Sequence, residues 1–327
     1  MRKLLGQLLC ASLVLLAGAV DASPHRRRTH RHRRASHHRP VPRRPAPQRP
    51  TAPRVVAPTP APSPPTPPTP APSAEPVAGC RLGAAVTRGV TEGTLPVDGV
   101  ERAYLLSVPE RYDPRAGPVP LVFAYHGLTG TPTSLRSYLR VEREAAGAAI
   151  FVYPAGIREA SRRHPQGSTR WDVRADGRDV AFFDALLARL SGTHCVDARR
   201  VFVVGHSAGA VMTNAIGCAR GASIRAIAPI AGMWAGRRCA DAPAVLVVHG
   251  RADGDVAFHY GEETRDRWLA AAACGPEPVA VEGSPCVRYG GCAGRGAVEF
   301  CTHEGNHGVP APMAHEVWRF FASYARR

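Results

Sequence analysis

A series of short runs in this chain is apolar almost from end to end: PLVFAY (120–125), AAIFVY (148–153), RVFVV (200–204), residues 225–230 and AVLVV (244–248). A strand with one face in water alternates apolar and polar residues. A strand that does not alternate is buried on both faces, and this is the habit of parallel sheets covered by helices. Segments with helical spacing or composition lie between and beyond these runs, at 133–146, 179–190 (DVAFFDALLARL), 208–219, 262–273 and 314–324. RAYLLSV (102–108), ended by Pro109, and residues 297–301 read as further strands. The alternation predicts an α/β fold, with a mostly parallel sheet and helices on both faces, in one domain of about 250 residues. Trp318 and Phe320 fall on the core side of the last helix.

That domain is expected to span 79–327, because the texture upstream is different. Residues 23–78 hold eleven Arg and one acid, Glu75, and from Pro40 to Pro76 the chain is largely Pro, Ala and Thr. Proline removes backbone donors and no apolar period is present, so 23–78 reads as a disordered linker, Arg/His-rich and then Pro-rich. The formal charge of +16 is mostly a property of this tail, since the last 249 residues hold 29 basic against 24 acidic side chains. Residues 25–54 could contact an anionic surface. Nucleic acid is not expected, because no aromatic residues stand between these charges.

Residues 1–22 read as an export signal: Arg2 and Lys3, an apolar run over 4–20, and small residues before a cut after Ala22, or alternatively after Ala19. One such run excludes a multi-span channel, and its length is short for a stable membrane anchor. Cys10 leaves with the signal. Cys80, Cys195, Cys218, Cys239, Cys274, Cys286, Cys292 and Cys301 remain, an even set in an exported chain, which predicts four disulfides and a secreted protein, at the cell surface or in the periplasm as alternatives. Without a Cys-x₂-Cys pair, zinc is disfavoured. Element lengths bring Cys195 and Cys218 to one level of the sheet and make them a candidate pair, with Cys80 able to reach either.

Gly205-His206-Ser207-Ala208-Gly209 fits G-x-S-x-G in the context that gives the motif meaning, with a strand entering and a small-residue helix leaving. Such a turn exposes a strained serine hydroxyl at a helix N-terminus. The hydroxyl needs a base, and the base an orienting acid. Asp253 lies just past the 244–248 strand, with Asp255 as competitor. His307 lies in a Gly-flanked loop before the last helix, with His303 as fallback. His126-Gly127-Leu128-Thr129-Gly130 follows the 120–125 strand, and the Leu128 and Ala208 amides are the candidate oxyanion donors. His126 reads as a structural histidine, His206 as a neighbour shaping the elbow. Trp171, Thr129 and His206 are candidate cleft residues. No metal or organic cofactor is required.

The strings LVFAYHG, FVYPAG, RVFVVGHSAGA, VVHGRADGDV and EGNHGVP resemble the secreted esterase family that joins feruloyl esterases with poly(3-hydroxybutyrate) depolymerases. The similarity spans residues 79–325. The cysteine contexts GC (79–80), CVDARR (195–200), AAC (272–274), CVRYGGC (286–292) and VEFC (298–301) look like the feruloyl esterase branch. The resemblance implies the α/β-hydrolase fold and the triad Ser207, Asp253 and His307. Ala210 stands where many relatives carry a second Gly, and Val309 where many carry Trp.

The expected function is therefore that of a secreted serine esterase, acting on feruloyl-type esters of plant cell-wall polysaccharide. A poly(3-hydroxybutyrate) depolymerase, or more broadly a polymer-linked ester as substrate, is the alternative within enzymes, as is an acetylxylan esterase. A non-catalytic surface-binding protein on a hydrolase scaffold is the alternative outside them. A chain beginning at Gly79 is expected to match the full-length protein on a soluble ester, because nothing in 23–78 can pack. Its adhesion to an anionic surface should fall, and full-length adhesion should weaken with salt. Equal adhesion by both chains at low salt would leave the tail a spacer.

Overall fold

The computed structural model describes residues 80, 86–162, 164–235, 239 and 241–325. The expected signal peptide and linker lie outside the described residues. The core is a ten-stranded sheet in the order β1-β2-β4-β3-β7-β8-β9-β12-β11-β10. Its strands are β1 (Gly89–Val97), β2 (Val100–Val108), β3 (Val119–Tyr125), β4 (Ile150–Pro154), β7 (Val196–His206), β8 (Ala226–Ile230), β9 (Ala244–Gly250), β10 (Pro278–Ala280), β11 (Cys286–Tyr289) and β12 (Val298–His303). The strands from β4 to β12 in that order pair in parallel, and antiparallel pairs close both edges. The apolar runs of the sequence are these central strands, and β4, β8 and β9 are buried at every residue. A small second sheet pairs β5 (Ile157–Glu159) with β6 (Ser168–Arg170).

Helices α1 (Pro132–Leu139), α2 (Val141–Ala145), α3 (Arg178–Thr193), α4 (Ala208–Ala219), α5 (Phe258–Ala271) and α6 (Ala311–Ala325) complete the layers. Two buried clusters line the two sheet faces: Leu121, Phe123, Phe183 and Trp268 belong to one, and Val122, Phe202, Phe320 and Phe321 to the other. Trp318 packs at the edge of the second.

The sequence reading merges two helices over 133–146. The chain breaks between them because Arg140 adopts φ 59°, a left-handed conformation that ends α1 after Leu139. Strands β1, β10 and β11 escaped periodicity. Strand β1 alternates half-buried and exposed residues because it is an edge strand of an antiparallel hairpin.

The disulfides are Cys80–Cys195, Cys218–Cys239, Cys274–Cys292 and Cys286–Cys301. Four bridges were expected, but the Cys195–Cys218 pair is not formed. Equal height on a strand and a helix says nothing of their lateral separation, and a bridge needs Cα atoms within ~7 Å. Both cysteines instead meet partners, Cys80 and Cys239, that lie outside every strand and helix the sequence pattern predicts. Cys286 and Cys301 face each other directly across β11 and β12.

One buried ion pair holds the edge of the sheet to the rest. The Arg102 guanidinium on β2 bonds to the Asp179 carboxylate at the start of α3, and both side chains are almost wholly buried. Arg102 also donates to the Ala155 carbonyl at 3.1 Å and lies over the Phe182 ring, while Asp179 accepts the Asp172 N–H at 2.6 Å. Removing one partner of such a pair strands the other charge. Arg102→Met is expected to lower unfolding free energy by about 3–5 kcal/mol, read by denaturant titration, and a change under 1 kcal/mol would refute the assignment. Non-reducing peptide mapping should return the four named disulfides.

Candidate active site

The site grows from the turn between β7 and α4. Ser207 stands there at φ 57°, ψ −120°, a backbone that L-residues rarely adopt. Its N–H donates to the Ile230 carbonyl at 2.9 Å, so the strained turn is tied to the neighbouring strand. The flanking glycines are steric necessities. A Cβ on Gly205 would strike the Gly209 carbonyl, and one on Gly209 would strike the Tyr125 carbonyl at the end of β3. Helix α4 therefore begins in backbone contact with β3, and its N-terminus lies behind Ser207.

The loop after β3 packs against the same turn. A Cβ on Gly127 would lie 3.3 Å from Ser207 Cβ. Among the described residues, neither the Leu128 nor the Ala208 N–H has a hydrogen-bond partner. Two free amides beside a serine on a helix N-terminus suit a developing oxyanion. His126 has a structural place, as expected. Its Nε2 accepts the Gly156 N–H at 3.0 Å, which leaves Nδ1 to donate to the Gly127 carbonyl at 2.8 Å. Burial pushes this imidazole below its ordinary pKa.

Asp253 and His307 meet as the sequence reading expected. His307 Nδ1 donates to Asp253 Oδ2 at 2.8 Å, so its Nε2 is the basic nitrogen. Asp253 Oδ1 accepts the N–H groups of Val256 at 2.8 Å and Asp255 at 3.0 Å. Burial alone would raise the Asp253 pKa. The Val256 N–H, the His307 ring and the Asp255 N–H outweigh it and hold the carboxyl below its usual range. Asp255 contributes its backbone to this cradle while its side chain is exposed, and the carboxylate that meets His307 is that of Asp253. His303 bonds through Nδ1 to the Gly305 N–H and is not on Asp253.

Two of the expected cleft residues, His206 and Trp171, are tied to the backbone around the site. His206 Nε2 donates to the His307 carbonyl at 2.7 Å, with the two rings 4.8 Å apart. The residue before Ser207 thus fixes the backbone of His307, and burial lowers the His206 pKa. Trp171 donates its indole N–H to the His126 carbonyl at 2.8 Å and sets its ring against Tyr125 and His126, bracing the loop from behind. Thr129 is exposed in that loop at φ 64°.

Sequence reasoning missed three groups. His249, wholly buried at the end of β9, places Nε2 2.8 Å from the Val256 carbonyl and 3.3 Å from Asp253 Oδ2. A histidine ending an otherwise apolar strand four residues before Asp253 was the available signal. Tyr138 on α1 packs edge-on to His206 and accepts the Val309 N–H at 2.7 Å. Asn214 on α4 accepts from Trp268 Nε1 at 2.9 Å and donates to the Met233 carbonyl at 3.0 Å, fixing the loop after β8. That loop crosses the elbow: a Cβ on Gly232 would lie 3.1 Å from the Ser207 carbonyl oxygen.

No family model matches the chain. Feruloyl esterase D of Neurospora crassa is 29% identical over 272 residues, covering 77% of this chain and 92% of that protein. Feruloyl esterase C of Emericella nidulans is 29% identical over 262 residues, covering 74% and 90%. Among solved structures, an acetyl xylan esterase from Aspergillus awamori superposes with a TM-score of 0.55 at 17% identity, covering 71% of this chain and 99% of that one. A Bacillus cereus carboxylesterase superposes at 0.51 with 13% identity, covering 68% and 94%. The fold is that of the α/β-hydrolases.

His249→Leu removes a donor beside Asp253 and is expected to reduce kcat about 10–100-fold, the scale of a ~1 Å misplacement of a catalytic group. His249→Gln keeps a donor near the Nε2 position and should recover most of the loss. If Leu and Gln variants fold equally well and turn over alike, His249 only fills space.

Proposed function

We propose that this chain, a carboxylic ester hydrolase of the α/β-hydrolase fold related in sequence to the feruloyl esterases, cleaves hydroxycinnamoyl esters of plant cell-wall polysaccharide outside the cell. One observation supports an apolar acyl group in particular. Six large apolar side chains are exposed among the described residues, and Leu128 (41%), Tyr138 (40%) and Met233 (37%) are three of them. These three come from the segments that frame Ser207: the loop after β3, the helix packed on His206, and the loop fixed by Asn214. Exposed apolar side chains gathered at a nucleophile suit an aromatic acyl group better than an acetyl group. The four disulfides suit an oxidising compartment.

In this reading His307 Nε2 takes the Ser207 proton as Oγ attacks the ester carbonyl. The carbonyl oxygen becomes an anion between the Leu128 and Ala208 amides, each donor worth roughly 3–4 kcal/mol at such sites. The tetrahedral adduct collapses to an acyl-serine, and His307 passes the proton to the departing sugar hydroxyl. Water, deprotonated by His307, attacks the acyl-serine in turn. The acid is released and Ser207 regains its proton. Asp253 keeps the imidazole in the tautomer with Nδ1 protonated and steadies it while it is charged.

Ser207→Ala is expected to fold normally and lose at least ~10³-fold in kcat, because only binding and the oxyanion amides remain. The substrate class is tested by kcat/KM on methyl ferulate, p-nitrophenyl acetate, acetylated xylan and poly(3-hydroxybutyrate) film. Preference for methyl ferulate is expected, with Met233→Ala weakening that preference. Preference for acetylated xylan or for the film would overturn the hydroxycinnamoyl reading.

A further inference from the structure

The free amide of Leu128 belongs to the peptide that begins at the Gly127 carbonyl. A peptide is planar and trans, so its C=O and N–H point opposite ways, and whatever holds the one aims the other. His126 Nδ1 donates to the Gly127 carbonyl at 2.8 Å, and the Gly130 N–H adds a second bond at 3.0 Å. The direction of the Leu128 N–H is therefore referred to the position of the His126 ring.

Two arms fix His126. In the first, the Gly156 N–H donates to its Nε2 at 3.0 Å, and the carbonyl of the preceding residue, Ala155, accepts from Arg102 Nη2 at 3.1 Å. In the second, Trp171 Nε1 donates to the His126 carbonyl at 2.8 Å, and the N–H of the following residue, Asp172, donates to Asp179 Oδ2 at 2.6 Å. The far ends of the arms meet, because Arg102 and Asp179 are bonded to each other. A closed circuit of hydrogen bonds thus runs from the buried ion pair, through both arms, to the ring and the backbone of one residue. Its base is stiff. Arg102 lies on β2 within the β1–β2 hairpin, and Asp179 lies in the first turn of α3, where the helix N-terminus favours a carboxylate. Arg102 Nη1 also meets the Arg178 carbonyl at 3.4 Å.

An apolar pair of similar volume would hold β2 against α3 as well or better, since two buried charges forfeit their solvation. It would leave the Ala155 carbonyl and the Asp172 N–H without these partners. Orienting two backbone segments at once is what the ion pair does and an apolar pair does not.

We propose that the Arg102–Asp179 pair is a positioning device for the oxyanion hole. Through Ala155–Gly156 on one side and Trp171–Asp172 on the other it holds His126, and His126 aims the Leu128 amide. The proposal rests on the reading of that amide as an oxyanion donor beside Ser207, and it is independent of the acyl group cleaved.

The test, made in the full chain, separates position from stability. Arg102→Met together with Asp179→Leu removes both charges, strands neither, and should unfold at a denaturant midpoint close to the parent's. Trp171→Phe deletes one bond of one arm and leaves the ion pair whole, which keeps the test decisive if the double variant fails to fold. Glu299→Gln, near the start of β12, weakens a buried ion pair with Arg288 and Arg319 and serves as a destabilised control. The substrate is p-nitrophenyl acetate, at a temperature where every variant is folded. The double variant should lose about 10–100-fold in kcat and Trp171→Phe about tenfold, with KM within about twofold, the pattern of an interaction made only in the transition state. The pH midpoint of kcat/KM should stay in place, because the His307–Asp253 bond is untouched. Affinity for phenylboronic acid, which adds to a serine as a tetrahedral anion, should fall with kcat. Glu299→Gln should keep the parent's kcat. The proposal is overturned if either loop variant, folded, keeps kcat within about twofold of the parent, or if the loss lies in KM or in the pH midpoint. It is overturned equally if boronate affinity is unchanged, or if Glu299→Gln loses as much. Ser207→Ala is measured alongside. A parent chain whose activity survives that change overturns the site and the positioning role together. A Ser207-dependent parent with unaffected loop variants overturns the positioning role alone.

Discussion

The contact on which the site depends is between backbones: the start of α4 at Gly209 lies against the carbonyl end of β3 at Tyr125, with no room for a methyl group. That closeness forces Ser207 into its left-handed φ and turns the chain sharply from strand to helix. It also brings the loop after β3 to the nucleophile, because β3 and β7 are parallel neighbours and end at the same level. The free amides of Leu128 and Ala208 are products of this contact. One arises where a loop leaves a strand, and the other where a helix has no preceding turn to accept from it.

The second fixed point is the Asp253 carboxylate. It gathers two backbone N–H groups, the His307 ring and the nearby His249 ring, and so uses both of its oxygens. Three of these partners come from Asp253's own side of the sheet, on β9 and the turn after it. His307 arrives from beyond β12. The geometry of the base is thereby referred to β9, a strand buried at every residue. His206 makes the complementary tie from β7, through the His307 carbonyl. The imidazole is held by one bond to its ring and one to its backbone, from the ends of β9 and β7 on either side of β8, the kind of double support that keeps a side chain within tenths of an ångström.

What the sequence made legible follows from periodicity and from chain order. Central strands are apolar throughout because both faces are covered, so β3, β4, β7, β8 and β9 were readable. Ser207, Asp253 and His307 were readable because each sits just past such a strand, where backbone must turn. Groups whose role is set by a partner distant in the chain were not. His249 looks like a strand residue until Asp253 folds back over it. Tyr138 looks like a helix surface residue until Val309 arrives 171 positions later. The disulfide partners of Cys195 and Cys218, Cys80 and Cys239, lie outside the elements that periodicity predicts, and level-matching of those elements could not find them. The pattern over 133–146 reads as one continuous helix because a single left-handed residue, Arg140, leaves no mark on an amphipathic pattern.

The oxyanion loop, finally, joins functions that sequence motifs treat apart. His126 has a bond on each ring nitrogen, and its carbonyl is held by Trp171, so the loop enters its turn already fixed. Thr169 accepts the Thr129 N–H and returns its hydroxyl to the Gly130 carbonyl, which fastens the far side. Immediately beyond, Thr131 and Ser134 close a capping box that starts α1. One braced segment therefore carries a free amide and an exposed apolar side chain at Leu128 and, further along α1, the exposed Tyr138. Whatever touches the Leu128 side chain is thereby referred to the same braced backbone as the free Leu128 amide, without an intervening hinge.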